Sequence, residues 1–322
     1  MVLNKRRIGM TELEITTLGL GCASLAGIGS GVPSEQGRAT VRHALELGIN
    51  YFDTAPQYGF GRSEHLSGDV LRDHPSAIVS TKVGRLLRPF HGQRNIGWVD
   101  PLPFDQEYDY SYDGIMRSFE DSLQRLGMNR VDILYVHDIG EMTHGAEQNA
   151  HYWNQLEQGG YRALRELRES KTVQAIGLGV NEAQVLSDAL NMGDWDVFLL
   201  AGRYTLLEQG GAPVLDQCAL RGTSVVIGGP FNSGILAGGD TFNYMRAPDD
   251  VRTRVRALSD ICARFDVPLP AAALQFPLNH PAVTCILPGP RSPTELDQIV
   301  AWYGSEIPSG LWEALVDEEL LH

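Results

Sequence analysis

Four ionisable side chains stand at or just past the ends of short apolar runs. Asp53 lies near the end of Asn50–Ala55 (NYFDTA), and Tyr58 follows in the next loop. Lys82 lies near the end of Ala77–Val83 (AIVSTKV), and His137 ends Val131–His137 (VDILYVH). Each alone has an ordinary structural role: a helix cap, a loop aromatic, a solvated lysine, a core histidine. Brought together they make an acid/base site. A free tyrosine titrates near pH ~10 and is a poor base at neutral pH. A neighbouring lysine ammonium favours the phenolate, so Lys82 is expected to lower the Tyr58 pKa. Asp53 supplies the countercharge that a partly buried lysine needs, and His137 can hydrogen-bond a substrate oxygen. Such a set moves a proton on or off a carbonyl or alcohol oxygen. Without a nucleophile or a metal-ligand cluster it suits a redox step in which a nicotinamide cofactor carries the hydride.

The elements that must position these groups alternate along the chain. Strand-like runs fall at Thr16–Cys22, Asn50–Ala55, Ala77–Val83, Val131–His137, Val173–Val180, Val197–Tyr204, Ser224–Gly229 and Thr284–Pro288. Helical patterns separate them: Ser34–Leu47 with Ser34 as N-cap, Ser63–Arg72, Tyr112–Leu126, Tyr161–Arg168, Glu182–Met192, Pro213–Arg221 and Pro293–Tyr303. Ile115, Phe119, Leu123 and Leu126 give the third helix an apolar face. Strand–helix alternation means parallel strands with helical crossovers. Runs as apolar as ILYVH are buried on both faces. Eight such units, after a short hairpin at Arg6–Ile15, predict an α/β fold: a (β/α)8 TIM barrel with an N-terminal β-hairpin. No shift of composition divides residues 1–322, so one barrel domain is expected.

A barrel of this kind carries its active site at the C-terminal strand ends, where all four residues fall. Two segments break the rhythm. Gly84–Ser111 follows the third strand and carries Phe90, Trp98, Phe104, Tyr108 and Tyr110, which argues for a lid over a pocket. Phe231–Val251 follows the seventh.

Composition narrows the function classes. The chain has 322 residues, 26 Lys+Arg and 40 Asp+Glu, for a net charge of −14. So acidic a surface repels phosphate backbones and disfavours nucleic-acid partners. No run approaches the ~18 apolar residues of a membrane span, and none of signal-peptide length follows the basic N-terminus. Cys22, Cys218, Cys262 and Cys285 are far apart and form no C-x-x-C, so neither zinc nor a disulfide framework is expected and a reducing cytoplasm is. A small-molecule substrate is the expected partner. Glycine numbers 35 of 322, about 11% against a usual ~7%. Gly19, Gly21, Gly177, Gly179, Gly228, Gly229 and Gly289 are expected near C-terminal strand ends, where a dinucleotide can lie against backbone. None completes G-x-G-x-x-G between a strand and a helix, so a Rossmann unit is not expected.

The run GINYFDTAPQYG (48–59) with SEHLSG (63–68), Lys82 in STKVG and His137 in LYVHD resemble the signature of the aldo-keto reductases. The resemblance runs from RRIGMTELEI to the last strand. It implies a (β/α)8 barrel that binds an extended nicotinamide dinucleotide, with Tyr58 as acid/base and Asp53, Lys82 and His137 in the roles above. It also marks departures. Where the family reads Ser-Asn for the nicotinamide carboxamide, this chain has Val180-Asn181, and Asn181 takes that role. Ala201 replaces a glutamine, and Gly228 stands where many members carry a stacking tyrosine. Phe231, Asn232 and Ser233 are the expected pyrophosphate loop, Gly21 is a close cofactor approach, and Asp53 is expected to touch the cofactor as well as Lys82.

NADP-dependent members carry a lysine and a later arginine for the 2′-phosphate; Gly289 and Glu295 stand there instead. A carboxylate repels a phosphate but accepts a ribose hydroxyl, so the resemblance favours NAD over NADP, with Arg291 as a remaining phosphate contact. STKVGRLLRP, YDYSYDGIMRSFEDSLQRLG, LLAGRYTLLEQ and GGPFNSGILAGG are similar to the aldose 1-dehydrogenase and pyridoxal 4-dehydrogenase group. That implies oxidation of a cyclic hemiacetal, from an aldose such as L-fucose or from pyridoxal, to a lactone, with Arg203 as a substrate contact or a structural ion pair. The rival readings are an NADPH-dependent aldehyde or ketone reductase of the same fold, and a non-catalytic cofactor-sensing subunit.

Overall fold

The computed structural model describes residues 3–92 and 97–321. In chain order the strands are β1 (Lys5–Arg7), β2 (Glu14–Thr16), β3 (Leu20–Gly21), β4 (Tyr51–Asp53), β5 (Ile78–Val83), β6 (Arg85–Pro89), β7 (Phe104–Tyr108), β8 (Ile133–His137), β9 (Ala175–Val180), β10 (Val197–Ala201), β11 (Ser224–Gly228), β12 (Thr241–Phe242), β13 (Met245–Arg246) and β14 (Val283–Leu287). Eight of them form one parallel sheet in the order β14-β11-β10-β9-β8-β5-β4-β3. A parallel bridge between Leu18 and Ile286 joins its two edges. Gly21 N–H, donating to Pro288 O at 2.9 Å, continues the seam. The sheet is therefore a closed (β/α)8 barrel. The hairpin β1–β2 pairs antiparallel before it, as expected.

Side chains alternate along each strand, and the inward set explains both core and site. Tyr51 on β4, Ile78 on β5, Ile133 on β8, Ala175 on β9 and Val197 on β10 begin their strands and pack with Ile8, Leu13 and Ile15 of the hairpin region, which closes the N-terminal end of the barrel. Two residues on along the strands come Asp53, Ser80 and Tyr135; two further come Lys82 and His137. The periodicity that fills the barrel with apolar groups at one end thus delivers the polar groups at the other. On β9 the same inward register reads Ala175-Gly177-Gly179. A Cβ on Gly177 would lie 1.6 Å from Val197 O, so this glycine serves strand packing inside the barrel. Gly19 likewise faces the side chains of Leu287, Tyr51 and Cys285. These two glycines are packing positions rather than open strand ends.

The helix after β5, α3 (Tyr112–Leu126), has the expected bounds. Ser111 caps it by accepting from Gly114 N–H, Gly127 ends it at φ 61°, and its buried stripe includes Ile115, Phe119, Ser122 and Leu126. Ser34 is not an N-cap: Pro33 holds that position and Ser34 is the first residue of α1 (Ser34–Glu46), with α2 (Arg62–Leu71) next after β4. After β8 the chain adds α4 (Glu141–Gln155) ahead of α5 (Tyr161–Glu169). No residue of α4 is fully buried, so it has no apolar stripe for sequence reading to find, and Gly145 breaks it at φ 70°. The insert 84–111 contains the five-pair antiparallel hairpin β6–β7; its residues 93–96 lie outside the described residues. Among the described residues, no helix is long and apolar enough to cross a membrane, and no group of residues could hold a metal ion.

Candidate active site

The four expected residues meet at the C-terminal mouth. Lys82 Nζ lies 2.6 Å from Asp53 Oδ2 and donates to Thr54 O at 2.9 Å. The other Asp53 oxygen accepts from Ser80 Oγ at 2.7 Å. Ser80 continues to Tyr51 OH at 3.0 Å, and Tyr51 to Tyr135 OH at 3.1 Å. Lys82 and Asp53 are both buried, so their partners fix them; removing one charge of such a pair typically costs ~3–5 kcal/mol. Gly179 leaves room for the lysine stem, since a Cβ there would come 3.3 Å from Lys82 Cε.

Tyr58 is set by the tight turn after β4. Gly59, Phe60 and Gly61 all have positive φ (62°, 53° and 95°), which turns the chain sharply into α2. Lys82 Nζ sits 4.6 Å from the Tyr58 ring centroid, and the His137 ring meets it edge-on at 5.8 Å. The His137 carbonyl accepts from Tyr110 OH at 2.8 Å.

The electrostatics differ from the expectation in one respect. The Tyr58 phenol is pushed well above its usual value, first by burial, then by Asp53, Asp138 and Tyr244; the cation that opposes this is Arg85. Lys82 therefore does not leave Tyr58 acidic. It stands over the ring and is tied to Asp53 and Thr54. At neutral pH Tyr58 holds its proton. His137 is driven well below the usual histidine value by burial, then by Arg85 and Lys82, so its imidazole is neutral.

Arg85 and Asp138 are the residues that reading by type overlooked. Arg85 is 2% exposed and pairs with Asp138 at 2.6 Å, donates to Gln106 Oε1 at 3.0 Å and lies 5.2 Å from the Tyr108 ring. Asp138 directly follows His137 at φ 44°, an unusual conformation for a non-glycine residue. The signals were present: a charged residue two beyond the β5 end, and a carboxylate next to the site histidine.

The insert reaches the site through Trp98, 6.0 Å from Tyr58 between ring centroids and pinned by an antiparallel bridge to Ile28. Tyr108 and Tyr110 instead pack with His144 and Tyr152. A second hairpin, β12–β13, presents Tyr244, one of the groups that oppose ionisation of Tyr58. It is tied down by Tyr244 N–H to Ser233 Oγ at 3.1 Å and by Arg203 to Asn243 Oδ1 at 3.1 Å.

The expected cofactor residues are more dispersed in role. Asn181 donates to Asp138 Oδ1 at 3.1 Å, which places it beside the quartet. Gly21 ends β3, with its amide engaged at Pro288. Gly289 packs on the turn after β3: a Cβ there would come 2.7 Å from Ser24 Oγ. Phe231 packs edge-on against Trp302 at 5.8 Å. The Asn232 side chain is buried, accepting from Thr205 Oγ1 at 2.6 Å and donating to Glu208 at 3.0 Å. Ser233 holds the β12–β13 hairpin through its carbonyl and hydroxyl. Arg291 donates to Ile28 O at 3.4 Å, while its Nε is buried without a partner among the described residues. Glu295 accepts from Arg291 N–H at 2.8 Å, and its own N–H donates to the cap Ser292 at 3.1 Å. Arg203 grips Glu208 with both oxygens at 3.1 Å and donates to Asn181 O at 2.9 Å, so it is a structural ion pair.

A barrel with an Asp–Tyr–Lys–His mouth defines a class, and comparison agrees with it: the aldo/keto reductase family matches residues 17–315, and this chain belongs to that family. It is an oxidoreductase of a family that uses nicotinamide cofactors. It is 47% identical to pyridoxal 4-dehydrogenase of Microbacterium luteolum, covering 98% of each chain. It is 36% identical to D-threo-aldose 1-dehydrogenase of a Pseudomonas species, covering 96% of this chain and 95% of the relative. Among solved structures, an aldo-keto reductase of Bacillus halodurans superposes with a TM-score of 0.76 at 24% identity, covering 100% of this chain and 97% of its own, a likeness of fold.

Proposed function

We propose that this protein oxidises a cyclic hemiacetal to a lactone with NAD, using Tyr58 as the acid/base. The observation that carries the reading is the buried Asp53–Lys82 pair at 2.6 Å with the lysine nitrogen over the Tyr58 ring and the neutral His137 edge-on to it. The two relatives above act, by their names, on pyridoxal and on an aldose; both compounds form cyclic hemiacetals. The residues present fit a dinucleotide. A Cβ at Gly229, after β11, would meet nothing within 4 Å, and the Arg291 guanidinium keeps an unpartnered nitrogen.

Asn181 would hold the carboxamide; Phe231, Asn232 and Ser233 would form the pyrophosphate loop, with backbone amides rather than the engaged Asn232 side chain as its donors. Gly21 and Gly289 would let the dinucleotide lie close to the backbone. Glu295 would accept a ribose hydroxyl. When bound, the nicotinamide supplies the hydride acceptor. Tyr58 takes the proton of the anomeric hydroxyl as that carbon gives up its hydride, and the C–O bond becomes the lactone carbonyl. His137 Nε2 orients the same oxygen. Because Tyr58 is held above its usual pKa, oxidation is favoured by alkaline pH, and at neutral pH the phenol is set to donate.

NAD is favoured because a side chain at position 289 would require Ser24 to turn away, and Glu295 puts a carboxylate beside Arg291. The second reading, an NADPH-dependent carbonyl reductase, is favoured by the unpartnered Arg291 nitrogen alone. The test is kcat/KM with NAD+ against NADP+ for L-fucose, D-arabinose, D-galactose and pyridoxal. Preference for NADP+ overturns the cofactor assignment; no reduced cofactor from any of them overturns the reaction.

A further inference from the structure

Next to the quartet stands a carboxylate that the acid/base scheme does not use. Asp138 Oδ2 lies 3.4 Å from His137 Nε2. Its side chain is 16% exposed, and its charge reaches both Tyr58 and Tyr244. Oδ2 accepts from Arg85 Nη2 at 2.6 Å and Oδ1 from Asn181 Nδ2 at 3.1 Å. A carboxylate has about four acceptor sites, so each oxygen keeps capacity for another donor. The geometry is costly. A left-handed φ on a non-glycine residue is disfavoured, and Arg85 is buried to match Asp138. The Asp138 amide, donating to Gly179 O at 2.9 Å, fixes the backbone in that conformation.

The pair His137 Nε2 and Asp138 Oδ2 is a donor beside an acceptor. The carboxylate next to Nε2 favours the tautomer with the proton there. The other nitrogen, Nδ1, is buried without a partner among the described residues. Hydroxyl oxygens on adjacent carbons lie about one hydrogen bond apart, close to the Nε2–Oδ2 separation. One such oxygen accepts from His137 while its neighbour donates to Asp138.

We infer that Asp138, held by Arg85 and Asn181, is a substrate-recognition carboxylate that selects hemiacetals bearing a second free hydroxyl within about one hydrogen bond of the hydroxyl being oxidised. This rests on the hemiacetal reading and narrows it. In an aldose the recognised group is the 2-hydroxyl on the adjacent carbon; in pyridoxal it is the ring 3-hydroxyl, one carbon further along but on the same side as the oxidised hydroxyl's carbon. Both candidate substrates share the feature, which gives one pocket a chemical reason to accept either.

The test pairs substrates that differ by that hydroxyl: the best aldose of the panel with its 2-deoxy counterpart, and pyridoxal with 3-deoxypyridoxal. The wild-type enzyme is expected to lose about tenfold to a hundredfold in kcat/KM on the deoxy compounds, the effect of a hydrogen bond to a charged group. Asp138→Ala should bring the ratio between the two members of each pair toward one, because only the hydroxylated member loses a hydrogen bond. Asp138→Asn, the isosteric variant, keeps the packing if alanine does not fold and should give an intermediate ratio. A purely structural role slows both members of each pair alike, so an unchanged ratio in a folded variant overturns the inference, as does a wild-type ratio near one. If wild-type enzyme reduces NAD+ with neither member of either pair, the hemiacetal reading falls and the inference with it.

Discussion

The two sides of the barrel mouth are built in different ways. At the ends of β4, β5 and β8 the work is assigned to side chains: Asp53 and Lys82, locked to each other and to Ser80, His137, whose backbone carbonyl is held by Tyr110, and the Tyr58 turn. At the ends of β9, β10, β11 and β14 the inward positions are glycine, alanine or the loops that follow, and the polar side chains Asn232 and Arg203 are both engaged by Glu208. One side offers chemistry and the other offers backbone. Replacing a residue on the first side should change the reaction; on the second it should change affinity or folding.

The largest expected effect tests the chemical side. Tyr58→Phe should lower kcat for oxidation by ~10²–10⁴-fold, the usual worth of a positioned acid/base, while NADH binding followed by fluorescence is retained. Retained turnover would dissolve the distinction between the sides. Next, Asp53→Asn leaves the Lys82 ammonium buried with Thr54 O and no countercharge, and should destabilise by ~3–5 kcal/mol in urea unfolding as well as abolish turnover.

On the backbone side, Phe231→Ala removes the contact with Trp302 and should cost less than the ~3–5 kcal/mol of a fully buried ring, because Phe231 is only partly buried. KM for NAD+ should move less than stability does; the reverse result would put the ring on the cofactor.

The pH dependence sharpens the chemical side further. With Tyr58 raised and His137 depressed, kcat/KM for oxidation should climb through the alkaline range and show no inflection near pH 6.5 from His137. Lys82→Met should shift that alkaline limb or abolish turnover; an unaltered profile would remove Lys82 from the proton path.

The smallest effect lies beneath the insert. His144 is depressed from 6.5 to about 4, mainly by burial and then by Arg85. Between those values the unfolded chain binds a proton that the folded one refuses, so stability falls as pH drops from about 6.5 to 4. His144→Gln should flatten that part of the melting-temperature curve, and an unchanged slope would reassign it to His137 or to carboxylates.

This contrast also explains what could be read from the chain. The barrel was legible because eight apolar runs alternate with helices, and the quartet because Asp53, Tyr58, Lys82 and His137 are rare types at strand ends. Asp138 and Arg85 were not, since a charged residue past a strand end looks like a solvated one until the fold buries it against its partner. The α4 helix was missed for want of an apolar face. The glycines were only partly informative. Gly177 and Gly19 answer to neighbouring strands and side chains, which local sequence does not contain, whereas Gly229 opens onto space.

The central claim is hemiacetal oxidation with NAD through Tyr58, and its most direct measurement is reduced-cofactor formation by wild type and Tyr58→Phe with L-fucose, D-arabinose, D-galactose and pyridoxal. The account predicts NADH from at least one of them with wild type, a lactone as the product by mass spectrometry, and near-zero turnover with the variant. Equal turnover by both proteins, or a carboxylic acid or alcohol as the first product, would contradict it.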